Sequence, residues 1–527
     1  MADIEGMFNQ IHVTPEHRNV LRFLWWKDHD PNNEVVTYQM TSHLFGGVWS
    51  PSAANFALKR CASDHAHLYD ADTISTVERN FYVDDCLKSS DSPQQAIRLV
   101  AQLIDLLMQG GFHLTKWTSN STEVPQSIPE EEHANHVPLL NLDGDPSLER
   151  ALGVFWDITD DCITFIIKVK NKLSTKRGML STISSVYDPL GLVGPFILRG
   201  KALFQALCRL KQGWEEIIPS DIAEQWGRWL DALPKLCRLQ VPRCLRPTDF
   251  TAASVTMQLH HFCDATELGY GAVSYLRVVN NNNIYCNIVL SRNRLAPVKP
   301  STIPRLELAA AVVAVQLDQK IRQSFELPLL DSVFWTDSTI VLHYIRNEDK
   351  RFQTFVANRV SQIHEVSQAS QWKHVSSELN PADDVSRGLS AEELTSSERW
   401  LKGPAFLWQK EELWPCQPEL GSLPRAEVAE AEVNKSSQTY AMSSKLAIQL
   451  AFDCFIQKYS SWYKLKRAIV LILRAKNILL KKSEPRLCDP ITPNEMKLAG
   501  IAIIDYVQRS QTTCPMKEES IRKLTPV

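Results

Sequence analysis

Apolar residues recur at helical spacing from Gln94 to Met108, where Ile97, Val100, Ala101, Ile104 and Leu107 share one face. Gly110-Gly111 predicts the stop of that helix. Ser119 to Pro146 is polar and Pro-rich and predicts an exposed loop. Leu152 to Trp156 and Ile163 to Ile167 predict two strands joined across the Asp160-Asp161 turn, and Thr175 to Ala232 predicts helices punctuated at Pro189, Gly191, Gly194 and Pro195. After a linker at Pro242 to Thr251, strands return at His260. An apolar helix over Ile303 to Ile321, a short strand over Val333 to Thr336 and a helix over Thr339 to Ile345 complete an α/β alternation. Beyond Trp414 the pattern loosens. Gly421 to Ser444 is Glu-, Ala- and Ser-rich, and two later helical segments lie near Lys445 to Lys482 and Pro493 to Arg509.

At 527 residues the chain calls for several cores, and 44% hydrophobic with 22% charged residues is ordinary globular composition. A formal net charge of -3 means that any basic groove must be local. The 12 cysteines include no C-x-x-C pair and no Cys/His cluster, which points to reduced thiols in an intracellular protein and away from zinc. The most apolar run, Ala468 to Leu473, is far short of the roughly 20 residues that span a bilayer, so no membrane partner is expected. The first residues carry no signal-peptide pattern.

Asn80-Phe81-Tyr82-Val83-Asp84-Asp85-Cys86-Leu87 places two adjacent acids at a β-prone turn. A solvated acidic turn explains that in isolation; a divalent cation would also relieve the repulsion. Its company decides the reading. Asp3-Ile4-Glu5-Gly6-Met7-Phe8, Phe45-Gly46-Gly47 with Ser50-Pro51, and Gly111-Phe112-His113-Leu114-Thr115-Lys116-Trp117 keep the order of the palm motifs that a reverse transcriptase carries. With Tyr187-Asp188-Pro189-Leu190-Gly191-Leu192 and Trp117-Thr118-Ser119-Asn120, the chain resembles the Pol polyprotein of BEL/Pao-type LTR retrotransposons. The resemblance implies that Asp3, Asp84 and Asp85 are catalytic, metal-binding carboxylates and that Lys116 contacts nucleic acid. It also implies that the fingers precede the first motif. A palm without them is not expected to polymerise, and Asp3, so near a terminus, is expected to fray.

A second ordered set lies further along the chain. Asp264 ends an apolar strand, Glu307 lies among apolar residues near a helix start, Asp337 ends a second strand, and Asp383 or Asp384 stands in Asn380-Pro381-Ala382-Asp383-Asp384-Val385-Ser386-Arg387. Each has a simpler reading: an acid on the solvent face, a salt bridge from Arg305 or another base to Glu307, or Asp337 as a helix cap with Ser338 and Thr339 beside it. Together they resemble the acids of ribonuclease H, and the resemblance makes Asp264, Glu307, Asp337 and Asp383 the catalytic, metal-binding set. Asp383 is preferred to Asp384 because it directly follows Ala382. The implied cofactor is Mg²⁺ or Mn²⁺ in two-metal sites, and the implied partners are an RNA-DNA hybrid and a primer-template. No histidine stands where many retroviral relatives place one before the last acid; His374 is too early and Glu378 stands nearer.

The expected organisation is α/β and α+β multidomain. It comprises a partial palm at 1–147, a primer-grip hairpin and helical thumb or connection at 148–250, a ribonuclease H-like α/β domain at 251–392, and a linker with a helical pre-integrase region at 393–527. Lys168, Lys170, Lys172, Lys176 and Arg177 form a basic stretch suited to duplex contacts or to a solvated face. Trp400, Trp408 and Trp414 suit core anchors. No Asp-Ser/Thr-Gly triplet supports a peptidase. The expected function is hydrolysis of RNA in RNA-DNA hybrids by a retroelement fragment, with non-catalytic nucleic-acid binding or a scaffold role as the alternative. Other polyprotein segments such as integrase are possible partners under this resemblance. The expected location is cytoplasmic, in a virus-like particle, or nuclear.

Overall fold

The computed structural model describes residues 1–134, 148–167, 174–247, 250, 255–281, 283–347, 352–418, 432, 455–456, 458–479 and 491–512. The chain forms two compact units, Met1–Asn434 and Lys435–Val527. Helices and sheets are mixed throughout the first, an α/β and α+β architecture of several sheets.

The first part of that unit comprises β1 (Ala2–Ile4), β2 (Arg22–Trp26), β3 (Val35–Gln39), α1 (Ser50–His65), α2 (Ala71–Arg79), β4 (Phe81–Tyr82), β5 (Asp85–Cys86), α3 (Pro93–Gln109), β6 (Leu114–Thr115) and α4 (Glu123–Gln126). Its sheet runs β4-β5-β1-β6, while β2 and β3 form a separate ribbon. The helical periodicity of α3 buries Leu99, Leu103, Leu106 and Leu107 against Leu58 and Ala62 of α1. Ser92 caps α3 by accepting from Gln95 N at 3.3 Å. Two expectations fail here. Asp3 does not fray, because β1 is paired on both edges, by β5 and by β6. The loop expected from Ser119 is packed at its start, where Val124 and Ile128 join the core; residues 135–147 lie outside the described residues.

The middle of the unit holds β7 (Leu148–Ala151), β8 (Val154–Asp157), β9 (Cys162–Thr164), α5 (Lys176–Ile183), α6 (Gly194–Arg209), α7 (Ser220–Ala232) and β10 (Val241–Pro242). The predicted hairpin is β8-β9, widened by β7 and β10. The expected linker at Pro242 is instead strapped down: Arg243 holds Asp161 through two hydrogen bonds, at 2.6 and 2.9 Å, and Arg246 pairs with Asp91.

A five-stranded sheet dominates the remainder of the unit, which comprises β11 (Val255–Ala265), β12 (Gly269–Asn280), β13 (Asn283–Leu295), α8 (Ile303–Ser324), β14 (Val333–Thr336), α9 (Thr339–Arg346), α10 (Thr354–His364), β15 (Trp372–His374), α11 (Ala382–Arg387), α12 (Ala391–Ser396) and α13 (Glu398–Lys402). The order is β13-β12-β11-β14-β15, antiparallel from β11 to β13 and parallel across β11, β14 and β15. Because both faces are covered, the central strands are near-continuously buried. One face packs on α8, α9 and α10 through residues such as Leu259, Val313 and Phe334. The other shares a core with α5–α7 and α11–α13, including Phe196, Trp226, Trp335 and Trp400.

That shared core changes the expected boundaries. Helices expected as a separate thumb bury Phe196, Trp226 and Trp229 in the same cluster as Phe262 and Trp335, and Trp400, Phe406 and Trp414 bring the chain after residue 393 into it. A boundary at 250 or at 393 would cut through one apolar core. Gly191 makes the join possible: it has φ +72°, and a Cβ there would stand 2.2 Å from the Ser291 carbonyl oxygen of β13. The second unit, described by itself, packs α14 (Trp462–Leu479) on α15 (Pro493–Thr512) through Leu465, Ile469, Ala499 and Ile503, with Arg474 paired to Glu495 at 2.8 Å. No helix among the described residues is long and apolar enough to cross a membrane.

Candidate active site

Strand register brings the second set of acids together. Cys263 of β11 pairs in parallel with Thr336 of β14, so Asp264 and Asp337, the next residue in each case, leave neighbouring strands at their carboxyl ends. Here the connections depart in opposite directions, towards β12 on one side and β15 on the other, the position where open α/β sheets form a crevice. Glu307 enters from the first turns of α8, which begins with Pro304 inside its N-terminus. Asp383 comes from α11, packed against β11 and β12. A Cβ on Gly271, paired with Asp264, would stand 2.2 Å from the Arg292 carbonyl oxygen and 2.6 Å from Val385 of that helix.

These carboxylates influence one another. Burial, then Asp337 and Asp383, push Asp264 up to about 7, against the opposing Ser386 hydrogen bond. Burial and then Asp337 raise Glu307, with Ser338 opposing. The simple alternatives do not hold. Arg305 pairs with Glu432, its Nε 2.7 Å from Oε1, and leaves Glu307 alone. Ser338, not Asp337, caps α9 by accepting from Val341 N at 3.2 Å.

The adjacent acids at 383 and 384 face different surroundings. Arg399 Nη2 donates to Asp384 Oδ1 at 2.6 Å and Arg399 Nη1 donates to the Glu378 carbonyl at 3.0 Å, so Asp384 is a buried ion-pair partner. Asp383 contributes to the field at Asp264; its Oδ1 is buried without a hydrogen bond, Arg387 Nε lying 3.2 Å away outside bonding geometry.

Three serines complete the arrangement. Ser386 Oγ donates to Asp264 Oδ2, Ser338 Oγ to Glu307 Oε2 at 2.5 Å, and Ser377 Oγ to Asp337 Oδ2 at 2.5 Å. Sequence reasoning passed over these roles. Ser338 and Ser386 stood inside the motifs that carried the acids, whereas nothing in the sequence marked Ser377.

An all-oxygen, all-anionic donor set suits a hard divalent cation such as Mg²⁺ or Mn²⁺; Asp383 Oδ1 makes no hydrogen bond but is ion-paired with Arg387 Nε at 3.2 Å, a contact that a bound cation would replace. As the side chains stand, no three acidic, His or Cys residues among those described are grouped so as to hold a single ion.

The first set of acids is shallower. Asp3 pairs with Asp85 across β1 and β5, and Asp84 lies in the turn between β4 and β5. Val83, in that turn, has φ 58°, a strained value for a β-branched residue. Burial, then Asp84 and Asp3, raise Asp85, with Lys116 opposing; Lys116 Nζ lies 3.2 Å from Asp3 Oδ2. Of the expected basic stretch, Lys168, Lys170 and Lys172 lie outside the described residues. Lys176 and Arg177 both lie over the Trp214 ring, and Arg177 also pairs with Glu215 at 2.5 Å, so they face a local partner.

Residues 175–338 match the family described as the Pao retrotransposon-like RNaseH-like domain. That segment is similar to the Pao retrotransposon-like RNaseH-like domain. The match begins at α5, in keeping with the core that α5–α7 share with the sheet, and ends at Ser338. It therefore takes in Asp264, Glu307 and Asp337 but not Asp383. No curated protein matches it. Among solved structures, the foamy viral protease-reverse transcriptase in complex with dsDNA is similar over 72% of this chain and 67% of its own, at 11% identity and a TM-score of 0.19.

Proposed function

We propose that this chain hydrolyses the RNA strand of RNA-DNA hybrids, with Asp264, Glu307, Asp337 and Asp383 holding Mg²⁺ or Mn²⁺. The observation that carries the reading is the convergence of Asp264 and Asp337 at neighbouring parallel strand ends, where neither has a lysine or arginine partner within ion-pair distance among the described residues. A pair of bound divalent ions would generate the attacking hydroxide and neutralise charge on the departing oxygen. In the net reaction water adds to phosphorus and the P–O3′ bond breaks, leaving a 5′-phosphate and a 3′-hydroxyl. The chain's own residues bind and orient: the carboxylates supply oxygen donors, and the serine hydroxyls fix their rotation. Selection of RNA would rest on the 2′-hydroxyls of the hybrid. The palm-like sheet, with Asp3, Asp84 and Asp85, is the reverse transcriptase part of the proposal and would hold a primer-template.

The alternative reading is binding of nucleic acid without cleavage. Purified full-length chain, incubated with labelled hybrid in Mg²⁺ or Mn²⁺ beside Asp337→Asn, separates the two. The proposal expects cleavage that disappears in the variant. Hybrid retention with no cleavage by either protein would establish the second reading.

A further inference from the structure

The segment from Ser376 to Arg387 does more than deliver the last acid. Its Ser377 hydroxyl donates to Asp337 at 2.5 Å, and its Ser386 hydroxyl donates to Asp264 and lies 3.2 Å from the Asp383 carbonyl oxygen. The segment is itself tied to the sheet. Asn380 Nδ2 donates to the Cys263 carbonyl at 3.2 Å, and Thr266 Oγ1 donates to the Ser386 carbonyl at 2.9 Å. One short stretch thus grips both strand-end acids and carries a third.

We propose that Ser377 and Ser386 are positioning residues, whose hydroxyls hold Asp337 and Asp264 in the rotations from which these carboxylates take up a divalent cation. The inference rests on the reading of the four acids as a cation site and adds to it the residues that order them. The physical case is that a carboxylate on a strand end turns freely about χ2 unless something holds one oxygen. A serine donor leaves the second oxygen free and keeps the negative charge, which a lysine or arginine would neutralise. Hydrogen bonds to ligand carboxylates of this kind change metal affinity by about 10- to 100-fold when removed. Ser386 is fully buried and bonded to elements 122 residues apart, so it also registers α11 on β11.

The test measures binding of Mn²⁺ alone to the full chain, from the loss of the free-ion electron paramagnetic resonance signal, with thermal unfolding and hybrid cleavage followed in parallel. Ser377→Ala and Ser386→Ala are each expected to weaken Mn²⁺ binding about tenfold or more. The exposed position 377 allows Ser377→Thr, which keeps the hydroxyl and is expected to restore wild-type binding. Ser377→Ala is expected to leave the unfolding midpoint in place, which separates positioning from folding even if Ser386→Ala is destabilised. Alanine variants that bind Mn²⁺ as the wild type does, or a wild type that binds none, overturn the inference. If wild-type chain binds Mn²⁺ and the serine variants weaken it while no variant or wild type cleaves hybrid, the positioning role stands and the nuclease reading fails.

Discussion

The two acid clusters of this chain are built on unlike scaffolds. Asp84 and Asp85 ride a hairpin whose strands, β4 and β5, have two residues each, and Lys116 sits against Asp3. Asp264 is the penultimate residue of an 11-residue strand inside a five-stranded sheet covered on both faces, and serine hydroxyls rather than cations meet the three acids Asp264, Glu307 and Asp337. The lesson is energetic. Buried like charges without a cationic partner are costly, and a thick core can hold them where a shallow hairpin tip relies on solvent and a lysine.

The sharpest contrast is in stability. Trp335, fully buried on β14 and stacked on Phe262, should cost about 3–5 kcal/mol when changed to alanine. Tyr82, 69% exposed beside the palm acids, should cost within about 0.5 kcal/mol. Urea unfolding of both variants checks the pair, and equal losses would break the comparison.

Next comes the division of labour between adjacent acids. Asp384→Asn removes one side of the buried pair with Arg399 and should lower stability by about 1.5–3 kcal/mol. Asp383→Asn should leave the unfolding midpoint nearly unchanged and abolish Mn²⁺-dependent cleavage. A reversed pattern would hand the role to Asp384.

Asp188 is a half-buried acid outside both clusters. Its carboxylate accepts from Leu192 N at 2.9 Å and Val193 N at 2.8 Å, yet burial raises it from 3.8 to about 6. A raised folded value means that its contribution is fully present below about pH 4 and is lost as pH rises through about 6. Wild-type chain should therefore lose about 1–3 kcal/mol across that window that Asp188→Asn does not lose. Parallel pH profiles of unfolding would show this, and identical slopes would refute it. The smallest effect belongs to the exposed Lys116–Asp3 pair, where Lys116→Met should change stability by less than about 1 kcal/mol.

Much of this arrangement was legible beforehand because periodicity and local punctuation set it. Val333–Thr336 was predicted to the residue, and α3 and α8 to within three residues at each end. The order of the acids was readable because Asp264 and Asp337 lie at the ends of apolar strands and Glu307 near the start of an apolar helix. The unreadable part depended on contacts between distant segments. Nothing near Trp226 or Trp400 announces that both pack in the core of the same sheet, and nothing near Ser377 marks its bond to Asp337, 40 positions away. Likewise, the choice between Asp383 and Asp384 turns on Arg399, which reaches back 15 positions.

The most direct test of the central claim is a divalent-ion titration of cleavage, using an RNA-DNA hybrid labelled separately on each strand, with wild-type chain, Asp264→Asn and Asp85→Asn. The account predicts cleavage of the RNA strand alone. Asp264→Asn should reduce it by on the order of 10²–10³, the scale for removing one group that stabilises developing charge, and Asp85→Asn should leave it unchanged. Folded wild-type chain that cleaves neither strand at any Mg²⁺ or Mn²⁺ concentration would contradict the account.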